Sequence, residues 1–354
     1  MRVTERASAT ERSRAASDSS GLWHNRRAVL DLDDFTREEL ETTLATADRM
    51  HEVLGRPVRR VPALNGRTIV NLFYESSTRT RVSFELAAKS LGADVVNVSA
   101  SGSSVDKGET LLDTVRTLRS LGGDVMVLRH AHPGAPHLVS QVTGMPVVNA
   151  GDGSHAHPTQ ALLDAYTINK HFGRIASLRI LIIGDIAHSR VARSNAWGLS
   201  KLGAEVVFCG PPTMLPQSCL GDGPCPPWPV RVDLDLDRAI EGTDVVMPLR
   251  IQWERQGGSP ISSLREYARD FGVNMERLGR AAPGAVVMHP GPMNEGIEIT
   301  PEVAHGEKSL IADQVTNGVA VRMAVLYLLV SSTEEDTHDW EGNNLSNPTG
   351  AGRP

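Results

Sequence analysis

Short apolar runs alternate with helical patterns along most of the chain. Thr68 to Phe73, Asp94 to Val98, Asp124 to Leu128 and Pro146 to Asn149 read as strands, and Arg79 to Leu91 and Gly108 to Leu121 as helices stopping at Gly92 and Gly122. A second series opens on Arg179 to Ile183, an almost unbroken β-branched run. It continues with a helix over Val191 to Leu202 and strands over Glu205 to Cys209, Asp244 to Met247 and Ala285 to Met288. Strands of continuous apolar character belong to parallel sheets covered by helices on both faces. The pattern therefore predicts an α/β chain with two doubly wound parallel-sheet domains joined by helices. A helix over Thr159 to Phe172 lies between the series, and another from Gln314 to Val330 is apolar and free of breakers.

The ends of the chain break this rhythm. Residues 1–20 are rich in Ser, Thr, Ala and Arg with no apolar period, and a flexible tail is expected there. Glu5, Glu11 and Asp18 argue against an organellar transit peptide, since such segments are poor in acids. Residues 333–354, polar and carrying the Glu334-Glu335-Asp336 run, are expected to be disordered as well. The domains fall at 21–158 and 159–313, followed by the helix of 314–331. From Cys209 to Pro229 the chain carries seven of its 21 prolines, which exclude ladder hydrogen bonds and helix interiors, so an irregular loop is predicted.

Length and composition narrow the class. At about 150 residues per domain, 354 residues fit two domains, and 40% apolar residues can fill a core in each. Thirty-six Lys and Arg against 42 Asp and Glu leave a net charge of -6, with no global pull toward nucleic acid or anionic membrane. Any anion site must be built locally. Three cysteines, all between Cys209 and Cys225, are too few and too clustered for a disulfide framework, which points to a reducing compartment, the cytoplasm. No apolar run approaches the roughly 20 residues of a spanning helix and the N-terminus lacks a signal peptide's apolar core, so a soluble chain is expected.

Candidate chemistry gathers just past strand ends. In FYESSTRTRVSFE, residues 73–85, a strand runs into a helix whose free N–H groups, with hydroxyls from Ser77, Thr78 and Thr80 and the fork of Arg79, suit a phosphate or carboxylate. The alternative is that Ser77 or Thr78 merely caps the helix. A small-residue loop, SASGSSVDKGET at 99–110, presents Ser103 and Lys107, and Arg129 ends the next strand. In NAGDGSHAHPTQ, Gly151 and Gly153 allow close backbone approach, while His157 and Gln160, three apart, can share one cleft. Arg190 begins a helix, Arg250 and Gln252 follow a strand, and His289-Pro290-Gly291-Pro292 makes a rigid turn. Strand ends of a doubly wound sheet share one edge, so Arg79, Arg129, Arg190 and Arg250 are expected to converge on a substrate with several negative charges, with no obvious carboxylate nucleophile. The two His-Ala-His-Pro tetrads, 130–133 and 155–158, lack a carboxylate or thiol at ligand spacing, so no metal and no cofactor is expected.

The string Ser77-Thr78-Arg79-Thr80-Arg81 followed by Ser83-Phe84-Glu85, together with His157-Pro158-Thr159-Gln160, resembles the signature of the aspartate and ornithine carbamoyltransferases. Lys107-Gly108-Glu109-Thr110 and the Arg250-x-Gln252 pair are similar to the catalytic chains of the aspartate branch, and the ornithine enzymes' Ser-Met-Gly and His-Cys-Leu-Pro motifs are absent. The resemblance runs in order from about Leu22 to Val330.

It implies a carbamoyl-phosphate-binding domain completed by the C-terminal helix, then an aspartate-binding domain. It also implies attack by the aspartate α-amine on the carbamoyl carbon, giving N-carbamoyl-L-aspartate and phosphate in pyrimidine synthesis. By position, the carbamoyl phosphate set is Ser77, Thr78, Arg79, Thr80, Ser103, Lys107, Arg129, His157, Gln160, Pro290 and Gly291, with Arg79, Thr80, Arg129, His157 and Gln160 catalytic. Lys107, Arg190, Arg250 and Gln252 would hold L-aspartate. Ser103 and Lys107 would enter from a neighbouring subunit, implying a homotrimer with shared active sites; a dihydroorotase or regulatory subunit is a candidate further partner. Gly291 stands where some members have leucine, which removes a side chain and keeps the carbonyl. Another amine acceptor such as ornithine, or a non-catalytic scaffold, are the alternative readings.

Overall fold

The computed structural model describes Trp23 and residues 26–99, 108–221, 225–252 and 263–344. The expected tail of residues 1–20 lies outside them. The first sheet contains β1 (Ala28–Val29), β2 (Thr68–Phe73), β3 (Asp94–Ser99), β4 (Val125–His130) and β5 (Val147–Asp152), in the order β1-β5-β4-β2-β3. The second contains β6 (Arg179–Ile183), β7 (Glu205–Cys209), β8 (Arg231–Asp233), β9 (Val245–Pro248) and β10 (Val286–Val287), in the order β10-β9-β6-β7-β8. Every strand pair is parallel, as the continuous apolar runs require.

Both sheets fix register with the same device. Asp124, just ahead of β4, accepts from the Thr68 N–H at 2.7 Å, and Asp244, just ahead of β9, accepts from the Arg179 N–H at 2.8 Å. Each aspartate ties the starts of two neighbouring strands, so their C-terminal ends finish level on one edge.

The helices of the first half are α1 (Arg37–Leu54), α2 (Thr78–Ser90), α3 (Leu111–Ser120), α4 (Ala135–Thr143) and α5 (Pro158–Phe172). Helix α1 was not foreseen, although its signal is present: Thr36 and Glu39 form a reciprocal capping box, and Leu40, Leu44 and Ala47 repeat along the buried face. The second half adds α6 (Arg190–Lys201), the short α7 (Leu236–Ala239), α8 (Leu264–Phe271), α9 (Met275–Leu278) and α10 (Pro301–Ala304), then α11 (Ile311–Asn344).

Helix α11 departs from expectation in two ways. It runs on to Asn344, through the acidic stretch expected to be disordered from 333, because no proline intervenes before Pro348. Its residues 311–332 also reach the length and hydropathy of a membrane span, a property that counting unbroken apolar runs had missed. Most of that segment is buried, and the helix packs against α1, α2 and α5, so it is a core helix that returns to the first sheet's layer. Gln314, Asn317 and Arg322 interrupt its apolar character and are themselves buried.

The proline-rich loop is irregular as predicted, with two short 3-10 turns at Pro212–Met214 and Gln217–Cys219. The cysteines, too sparse for a framework, nonetheless supply one disulfide, Cys219 to Cys225, because the loop folds back on itself over six residues. Cys209 is free and buried, and burial pushes its thiol up to about 12. Trp228 meets Phe208 edge-on and lies under the Arg193 guanidinium, seating the loop on α6.

Candidate active site

The loop from β2 into α2 provides the first wall. Ser77 occupies the N-cap position with φ -160° and ψ 96°, but its side chain makes no capping hydrogen bond. The simple capping explanation therefore fails for Ser77, and the helix start can offer hydroxyl and N–H donors to an anion. Thr78 and Arg79 are exposed and Thr80 is buried. Arg79 lies against the distant 289–291 turn: a Cβ at Gly291, whose φ is +66°, would stand 3.4 Å from the Arg79 Cζ.

Arg129, at the end of β4, is 8% exposed and donates to the Ala150 carbonyl at 3.1 Å and to Glu75. Arg190, the first residue of α6, donates to both Glu75 oxygens, at 2.7 and 3.2 Å, and to the Gly153 carbonyl at 3.1 Å. Two arginines from the two sheets thus share one carboxylate. Gly151 makes this possible, since at φ +113° a Cβ would lie 2.9 Å from the Arg190 Cζ and 3.1 Å from an Arg129 nitrogen. The loop ahead of Arg190 is held by the proline-rich segment, where the Ala187 N–H donates to the Met214 carbonyl at 2.8 Å.

His157 is the N-cap of α5 and 4% exposed. Burial first, then the charges of Arg190, Arg129 and Arg322, hold its imidazole well below the usual histidine range, so it is neutral at physiological pH. Its Nδ1 is buried with no hydrogen-bond partner among the described residues. One turn on, Gln160 donates through Nε2 to Asp164 Oδ1 at 3.0 Å. Asp164 is fully buried; desolvation raises its carboxyl to about 6, against the lowering effect of hydrogen bonds from Asn195, Gln314 and Gln160.

At the 289–291 turn, the His289 N–H donates to Gln314 Oε1 and the Gly291 N–H to His289 Nδ1, each at 2.8 Å. Arg250 and Gln252, partly buried, follow β9, and the Leu249 N–H donates to the Ile183 carbonyl at 2.8 Å, which puts the start of that loop against the end of β6. Ser103 and Lys107 lie outside the described residues. Among the described residues, no three metal-ligating side chains come together.

The structure therefore joins Arg129 to Arg190 and Arg79 to Gly291, and sets Arg250 on the edge that bears Arg190. The cluster also holds a carboxylate outside the candidate set, Glu75, bonded to both arginines rather than poised as a nucleophile. Its signal was its place as the one acid between the β2 end and Arg79. Asp164 and Gln314 were missed because only the fold brings α5 and α11 together.

Two family models match the chain: the aspartate/ornithine carbamoyltransferase carbamoyl-P binding domain over residues 27–170, and the Asp/Orn binding domain of the same family over residues 176–329. The two matches divide between residues 170 and 176, at the C-terminal end of α5. The aspartate carbamoyltransferase catalytic subunit of Chloroflexus aggregans is 57% identical over 307 residues, 86% of this chain and 99% of that protein. Among solved structures, the aspartate transcarbamoylase of Trypanosoma cruzi in complex with carbamoyl phosphate and aspartate superposes with TM-score 0.77 at 30% identity, covering 85% of this chain and 96% of that one. The ornithine carbamoyltransferase of Pyrococcus furiosus superposes as well, with TM-score 0.76 at 30% identity over the same shares. Two parallel sheets meeting at an arginine-lined edge, matched along nearly the whole described chain, make this protein a member of the aspartate/ornithine carbamoyltransferase family.

Proposed function

We infer that the protein transfers the carbamoyl group of carbamoyl phosphate to the α-amine of L-aspartate, giving N-carbamoyl-L-aspartate and phosphate, a step toward pyrimidines. The observation that carries this reading is the meeting of Arg129 and Arg190 beside neutral, buried His157, with Arg79 against the Gly291 turn. Ser77, Thr78, Arg79 and Thr80 take the phosphate at the start of α2. Arg129, Thr80 and His157 take the carbamoyl oxygen; a neutral imidazole donates one hydrogen bond there without adding a further cation that would hold back the departing phosphate. Gln160 and the Pro290 and Gly291 carbonyls accept from the carbamoyl amino group and the incoming amine. Arg190, Arg250 and Gln252 take the aspartate carboxylates.

The deprotonated α-amine adds to the carbamoyl carbon to give a tetrahedral oxyanion, which collapses as the C–O bond to phosphate breaks and the departing phosphate takes the surplus proton from the nitrogen, with no covalent enzyme intermediate. Orientation of two bound reactants is worth about 7–11 kcal/mol and preformed donors stabilise the developing oxyanion, so positioning can carry the reaction. Ser103 and Lys107 complete the site from a neighbouring copy in a trimer. That arrangement is supported by exposed Val82, Leu86 and Val96, at 41%, 49% and 41%, on α2 and edge strand β3, immediately before residues 100–107.

The fold does not choose the acceptor, because an ornithine enzyme superposes equally well; the Arg250-x-Gln252 pair favours a dicarboxylate. Product formation from carbamoyl phosphate with aspartate, then with ornithine, tests the reading together with a mass measurement of the assembly. Turnover with ornithine alone would overturn it.

A further inference from the structure

We propose that Asp164 is a positioning residue for the reaction: one buried carboxylate orients both Gln160 and, through Gln314, the 289–291 turn. The inference rests on the carbamoyl-transfer reading above. Its basis is hydrogen-bond chemistry. An ionised carboxylate only accepts, so each glutamine that meets it must present its Nε2 end. Gln160 Nε2 donates to Asp164 Oδ1 at 3.0 Å and Gln314 Nε2 to the same oxygen at 2.7 Å, while Asn195 Nδ2 donates to Oδ2 at 2.8 Å.

Two consequences follow from the planar amides. With one Nε2 hydrogen on Asp164 the amide plane is oriented, and Gln160 turns its acceptor Oε1 away from that carboxylate, suited to an amino group. With its own Nε2 held, Gln314 presents Oε1 to the His289 N–H at 2.8 Å, the bond that fixes the start of the turn carrying the Pro290 and Gly291 carbonyls. The acceptors assigned to the two nitrogens of the reaction thus hang from one atom, Oδ1, while Asn195 of α6 holds Oδ2, and the chain brings α5, α6 and α11 together from positions 164, 195 and 314. Asp164 itself is fully buried, with no exposure of its own.

A mutant cycle on the full-length protein tests this, with kcat and KM measured for carbamoyl aspartate formation. Asp164→Ala is expected to lower kcat about 10- to 100-fold in the otherwise native protein and less than about threefold in a Gln160→Ala/Gln314→Leu background, because both residues it orients are already gone. Asp164→Asn tests the same point where the alanine variant fails to fold. Its oxygen can still accept from both glutamines, and Asn195 can turn its Oδ1, now without a hydrogen-bond partner, toward the new amide. This variant is expected to lose less than about tenfold in kcat, whereas Gln314→Leu, which removes both the bond to Asp164 and the link to His289, loses more. Equal losses from Asp164→Ala in both backgrounds, or a larger loss from Asp164→Asn than from Gln314→Leu, would overturn the proposal and leave the carbamoyl-transfer reading standing. A wild-type protein that makes no carbamoyl aspartate overturns both.

Discussion

The two walls of the cleft are built differently. The wall on the first sheet is a set of buried, mutually bonded groups: Arg129 against the Ala150 carbonyl, the His157 N–H on Ser194, and Gln160 on Asp164. On the second sheet Arg190 is likewise buried and bonded at the start of α6, but the rest of that wall is carried by chain between elements, the stretch after β9 that bears Arg250 and Gln252. Preformed donors need no reorganisation when charge develops, whereas loop-borne groups can close on a second reactant after the first is seated. In the proposed function the reactant shared across the family faces the rigid wall, and the acceptor that differs between its branches faces the adaptable one.

The sharpest way to break this comparison is to remove one arginine from each wall. Arg129→Ala should lower kcat about 100- to 1,000-fold, in line with the loss of a preformed oxyanion donor. Arg250→Ala should act mainly on the aspartate KM. Steady-state kinetics in both substrates separate the two, and equal effects on kcat and KM from both variants would erase the distinction between the walls.

Gly151→Ala probes the joint between the walls. Its left-handed φ and the close approach of both guanidiniums leave no room for a methyl group, and Arg190 is pinned by Glu75 and Gly153. A strain of about 1–3 kcal/mol is expected, read as a lowered melting midpoint, together with about a 10- to 100-fold loss of turnover. A variant with native kinetics would show that the guanidiniums can sit elsewhere.

The smallest effect lies in stability against pH. The Asp164 carboxyl is raised to about 6 in the folded protein, above its ordinary value near 3.8, so the native state binds more protons between those values. The contribution of Asp164 is thus present below about pH 4 and lost as pH rises through 6, a fall of about 1 kcal/mol between pH 5 and 7. Asp31, raised to about 6 chiefly by burial, adds a contribution of the same sign. His157, shifted down, works the other way and loses stability as pH falls below 6.5. Urea midpoints of wild type and Asp164→Asn at pH 5 and pH 7 isolate Asp164, since the other groups cancel in the difference. An unchanged difference would mean that Asp164 titrates normally.

Much of the fold was legible. The β-branched run of Arg179 to Ile183 gave its strand to the residue, and the hydroxyl and arginine string at 77–81 marked a helix start where an anion would sit. Helix α1 was legible but unread, since Thr36 and Glu39 spell a capping box. Glu75 was visible as a lone acid beside arginines, yet its bonds to Arg129 and Arg190 span 54 and 115 residues. No local pattern reaches that far.

Local physics settled what each segment is: a continuous apolar strand, a proline-rich loop without a ladder, a glycine where the backbone must turn left-handed. It also settled that any anion site had to be assembled from scattered cations in a chain whose net charge is -6. Which cations meet, and which carboxylate lies between them, was decided only when two parallel sheets aligned their strand ends and α11 returned against α5. Those contacts depend on how helices pack over hundreds of residues of separation, and each residue's neighbours in sequence are indifferent to them.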